Sequence, residues 1–170
     1  MADTTRIPID FRSPGVSENA GNSFFNVTGL TTESPDFDLG HWELIHTGDV
    51  DSYIYGIVNV PVTIGATPAA KVILRVAANA TTGNVRTRVS TLAVANGESL
   101  DQALTDETEQ TTTMPSTAFE IEEISYTLTN APSANDTILV EFRREASDTT
   151  NDTLAANLLM VEGYLEIDLS

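Results

Sequence analysis

Cysteine is absent from this 170-residue chain, which excludes a disulfide framework, a thiolate nucleophile and a zinc-thiolate centre and leaves the redox compartment unmarked. Lysine is almost absent too. Lys71 and seven arginines face 25 acidic residues, and the net charge of −17 repels phosphate backbones and anionic lipid. Neither nucleic acid nor a membrane is therefore an expected partner. No apolar run approaches the roughly 20 residues of a membrane-spanning helix, and the opening MADTTRIPIDFRS lacks the apolar stretch of a signal peptide. The expectation is a product made in the cytoplasm. Helical periodicity is scarce, with one short candidate at residues 98–104 (ESLDQAL). GxxxxGK[ST], GxSxG and HExxH are all missing, so three common catalytic frameworks are removed, and neither an enzyme nor a cofactor is expected.

What remains is a chain with 41% hydrophobic residues, enough for a core without staples. Its acid-rich, lysine-poor balance fits a halophilic protein, because salt screens the self-repulsion of −17; biased codon usage in an ordinary acidic protein gives the same pattern. The two histidines, His41 and His46, stand five residues apart in LGHWELIHT and would project to opposite faces of one strand, so they read as packed strand residues beside Trp42. Asp49 with Asp51, and Asp148 and Asn151 with Asp152, could supply oxygen ligands to calcium, but neither stretch has EF-hand spacing and both read first as solvated turns.

Residues 1–35 are rich in Ser, Asn, Gly, Thr and Pro, broken by strand-like pieces at 6–11 and 24–27, and read as an extended N-terminal arm. Residues 36–170 change to β-branched and aromatic runs of about 8 to 12 residues between turn clusters, the spacing of a sandwich or barrel. Val72, Leu74 and Val76 share one face. So do Val85, Thr87, Val89, Thr91 and Ala93, as do Ile138, Val140 and Phe142. Residues 50–60 are apolar on both parities, as in a strand covered on both sides, and residues 159–169 alternate without a break. Parity changes between Phe119–Ile121 and Ile124–Tyr126–Leu128, which predicts a bulge near Glu122 and Glu123 or a strand crossing between sheets. About eight antiparallel strands in an all-β, jelly-roll-like sandwich is the fold expected.

Five arginines, Arg75, Arg86, Arg88, Arg143 and Arg144, fall inside these strands, whereas acids concentrate in loops. They can pair across strands with Glu141, Glu162 or Glu166, or form a face that receives the acidic loop of a neighbouring subunit. The insertion at 96–116 supplies such a loop through Asp106, Glu107 and Glu109, and a head-to-tail homo-oligomer would follow.

The segments ATTGNVRTRVSTLAVANGESLDQ and TAFEIEEISYTLTNAPSANDTILVEFRREASDTTNDTLAANLLMVEGYLEI resemble small β-sandwich proteins encoded among the structural genes of tailed viruses of bacteria and archaea, over about residues 42–167. Matching features are Trp42, the strand into Val60-Pro61, the GNVR turn, GESLD, the FRR…SDT hairpin and the apolar last strand; Thr87 stands where a second tryptophan is common. The resemblance implies a non-enzymatic virion protein, a head decoration or minor capsid component located in the virion and contacting the major capsid protein or its own copies. It carries no active site with it. The alternative is a carbohydrate-binding β-sandwich, for which the stacking candidates are Trp42, Tyr53, Tyr55, Tyr126 and Tyr164.

Overall fold

Alternation of apolar and polar residues gives strands one face that must leave water, and two such sheets bury those faces against each other. The computed structural model describes residues 4–14, 23–26, 41–46, 50–64 and 69–169, and among them the only regular elements are strands. These are β1 (Thr4–Pro8), β2 (Asp10–Pro14), β3 (Ser23–Asn26), β4 (His41–Leu44), β5 (Ser52–Asn59), β6 (Ala70–Ala78), β7 (Asn84–Val94), β8 (Thr105–Asp106), β9 (Gln110–Thr113), β10 (Glu122–Thr127), β11 (Thr137–Arg144) and β12 (Leu158–Asp168). Sheet A has the order β10-β6-β12-β4-β3, with β1 also on β12; sheet B has the order β2-β5-β11-β7-β8, with β9 also on β7. From β5 onward the long strands fall alternately in B and A, the chain path of a jelly-roll-like antiparallel sandwich.

The core lies between the sheets. Val72, Leu74, Val76, Ile124, Met160, Leu165 and Ile167 of sheet A meet Ile54, Val58, Val85, Val89, Ile138, Val140 and Phe142 of sheet B, all buried. Each large aliphatic or aromatic side chain so buried stabilises the fold by about 1.5–3 kcal/mol. One polar link crosses this core, where Tyr126 Oη and Thr87 Oγ1 lie 2.5 Å apart. Burial, opposed by that partner, pushes the Tyr126 phenol up.

Residues 4–14, within the segment expected as an arm, contribute a strand to each sheet: β1 lies along β12 and β2 along β5. The change of sheet occurs at Ile9, whose N–H donates to the Gly163 carbonyl at 2.8 Å. Phe11 fills the corner between Gly56 and Gly163, and a Cβ on Gly163 would stand 2.8 Å from its ring. Residues 1–3, 15–22 and 27–35 of the same segment lie outside the described residues.

Four local expectations are corrected. No helix forms at 98–104; Glu98 Oε2 accepts from the Ala95 N–H and Ser99 Oγ from the Asp101 N–H, side-chain bonds that favour turns over a short helix. The β10–β6 ladder runs without a bulge at 122–123, because β10 begins only at Glu122, after a turn in which Phe119 takes a φ of 63°. The bulge sits instead in β12, between Met160 and Glu162, so core-facing parity passes from Leu158 and Met160 to Gly163, Leu165 and Ile167. His41 opens β4, while His46 lies beyond its end rather than on the same strand.

Candidate functional site

Antiparallel register aligns three rows of side chains across the outer face of sheet B. Tyr53, Arg143 and Arg88 form the first, Tyr55, Glu141, Ser90 and Asp106 the second, and Ile57, Leu139 and Leu92 the third. Because β5 is apolar on both parities, its outward residues give this face an apolar and aromatic end.

Tyr55 is the exposed member, at 39% of its surface. Its neighbours are fixed by the register: Glu141 stands opposite it across the ladder, and the Tyr53 ring meets it edge-on with centroids 5.5 Å apart at 70°. Partial burial, then the nearby Glu141, push the Tyr55 phenol up, so it stays protonated. Arg143 Nε and Nη2 donate to Glu141 Oε1 at 3.1 and 2.8 Å, and its guanidinium lies 5.5 Å from the Tyr53 centroid, within cation–π range. Beside Tyr55 a groove of about 210 Å³ is lined by Arg12, Tyr55, Gly56, Ile57, Leu104 and Leu139.

Across the strands, the rest of the face is tied by ion pairs. Arg88 Nη1 donates to Asp106 Oδ2 at 3.0 Å, and Ser90 Oγ donates to Asp106 Oδ1 at 2.6 Å. Arg86 bonds to Glu109 and to Thr111 Oγ1. Glu145 lies 3.3 Å from Arg88 Nε; burial pushes its carboxyl up despite that guanidinium.

The expected interface residues thus divide. Arg86, Arg88, Arg143, Asp106 and Glu109 share this one face, joined by bonds within the chain, because β8 and β9 fold the insertion back onto β7. Arg75 is on sheet A, paired with Glu162. Glu107 is buried and accepts from the Thr129 N–H and Oγ1 at 2.9 and 2.7 Å. Arg144 is fully buried at the end of the sandwich, bidentate on Asp152 at 2.9 and 2.8 Å, with Nη1 and Nη2 also donating to the Ala156 and Leu154 carbonyls. Its Nη2 stands 3.3 Å from His46 Nδ1, which places that histidine among packed groups.

The calcium candidates have other partners. Asp51 accepts from the Ser147 N–H, Asp148 from Asn151, and Asp152 uses both oxygens on Arg144, while Asp49 lies outside the described residues. Among the described residues no three His, Asp or Glu side chains are grouped to hold a metal ion. Of the aromatic candidates, Tyr126 is in the core, Trp42 is half-buried against it, and Tyr164 donates to Glu162 on sheet A. Composition gave no sign that Tyr55 would be the exposed one; the Tyr-Ile-Tyr spacing in β5, with two rings on one outward parity, is the signal the sequence holds.

No family model and no curated protein matches the chain. Among solved structures it is similar to the Arthrobacter globiformis T6 isomalto-dextranase complexed with panose, at 23% identity over 97% of this chain and 23% of that one, with a TM-score of 0.53. It is also similar to the CBM22-1–GH10 modules of the Clostridium thermocellum xylanase 10B complexed with xylohexaose, at 11% identity over 95% of this chain and 28% of that one, with a TM-score of 0.50. The chain spans about a quarter of the length of each. At these identities the likeness is one of fold.

Proposed function

We propose that the protein is a non-catalytic carbohydrate-binding β-sandwich that holds a sugar ring against Tyr55 on the outer face of sheet B. The observation that carries this reading is the exposed Tyr55 ring, packed edge-on against Tyr53, beside a groove with apolar walls. A sugar offers an apolar ring face and a polar rim, and an aromatic platform bordered by a few placed polar groups complements both. Holding the platform in place before binding lowers the ordering cost. The fold is one shared with sugar-complexed proteins, which agrees with the reading without identifying a ligand.

A glycan array probed with the labelled full chain tests it. Binding to at least one oligosaccharide is expected, with Tyr55→Ala reducing retention at least tenfold while the thermal midpoint stays within a few degrees. An array without a hit, or a hit unaffected by Tyr55→Ala, overturns the assignment. The virion role rests on the sequence resemblance, and the strand arginines it would use toward a neighbour are engaged by the chain's own acids.

A further inference from the structure

The groove beside Tyr55 has an unusual pairing of walls. Tyr55, Ile57, Leu104 and Leu139 make its apolar sides, and the one charged residue at its rim is Arg12, whose Nε donates to Asp10 Oδ2 at 2.6 Å. Arg12 is 64% exposed, and its Nη1 and Nη2 form no hydrogen bond among the described residues. The groove therefore presents N–H donors with no net local charge, because Asp10 balances the guanidinium. Elsewhere on the same face, the carboxylates Asp51, Asp106, Glu109, Glu141, Glu145 and Asp148 outnumber the guanidiniums of Arg86, Arg88 and Arg143. That imbalance, on a chain of net charge −17, disfavours an anionic ligand.

Resting on the glycan-binding reading, we infer that the groove selects a neutral acetylated sugar, an acetamido sugar being the fitting class. The acetyl methyl enters between Ile57, Leu139 and Leu104, its carbonyl oxygen accepts from an Arg12 Nη, and the sugar ring lies on Tyr55. A plain hydroxyl leaves the apolar walls wetted, and a carboxylate must enter a negative field.

The test is an NMR titration of the full chain with the methyl α- and β-glycosides of N-acetylglucosamine, glucose and glucuronic acid at physiological salt. The acetamido sugar should bind at least tenfold more tightly than glucose, with glucuronate weakest and shifts centred on residues 55–57 and 139. Arg12→Met and Leu104→Ala, both remote from the core, should each reduce that preference to about threefold or less. Equal binding of glucose, tightest binding of glucuronate, or glycan-array hits that include no acetylated sugar overturn the inference and leave the glycan-binding reading intact. Absence of any hit on the array overturns that reading itself.

Discussion

Replacing Arg144 by alanine should destabilise the fold more than any other single arginine change. Arg144 is 0% exposed, and three of its contacts are buried, those to both Asp152 oxygens and the Leu154 carbonyl, while the Ala156 carbonyl takes Nη1 at a part-buried edge. Truncation leaves the Asp152 carboxylate buried beside a cavity, with the Arg86 N–H at 3.2 Å as its one remaining donor among the described residues. Breaking a buried pair from one side costs about 3–5 kcal/mol, because the remaining charge is left uncompensated. The double variant Arg144→Met/Asp152→Leu removes the orphaned charge, yet it still strands the buried Leu154 carbonyl, at about 1–3 kcal/mol, and releases the part-buried Ala156 carbonyl and Arg86 N–H. The double variant should thus remain well below the parent but recover part of the Arg144→Ala loss. Urea unfolding, with the midpoint and slope fitted for the parent and each variant, measures all of these. A loss under about 1 kcal/mol for Arg144→Ala would show instead that the buried carboxylate does not depend on this guanidinium.

Trp42→Ala should cost about 3–5 kcal/mol and lower the melting temperature, since the indole packs on the core; a stable variant that lost only sugar retention would move the site to sheet A. Melting midpoints should rise from low to molar NaCl, because screening relieves the repulsion of 17 net charges; a flat or falling curve removes that argument. The Asp148 carboxyl is held below its usual range first by the Asn151 side-chain donor, so its contribution is present above the unfolded pKa and lost as pH falls through the folded one. Asn151→Ala should weaken this acid-side dependence in pH-resolved melts, and unchanged acid curves would count against the assignment.

Strands β6, β7 and β11 were legible because each has one face on the core, so alternation survives in the text. One parity break was legible as a break but not by cause, and the other was not legible at all. The shift after Phe119 is a turn with positive φ, while the true bulge at Val161 is hidden by the run Leu158, Leu159 and Met160 before it, which is apolar on both parities. The site was hardest to read. Tyr53 and Tyr55 sit in a strand apolar on both parities, and which ring stays open depends on what covers β5. Asp106 and Glu109 meet their arginines only because the insertion pairs back along β7, a tertiary choice that no local pattern records.

The register of β1 on β12 has a mechanical consequence. Thr4 faces Asp168 and Pro8 faces Tyr164, so these two strands part at one corner of the sandwich with opposite directions. Tension between residues 4 and 168 pulls across the ladder, opening it pair by pair like a zipper at low force. The peeling meets a stop at Ile9, where the chain leaves sheet A for sheet B and Phe11 is seated between Gly56 and Gly163. Beyond that point force must separate the two sheets together, so a pulling trace should show a soft first event followed by a single stiff one.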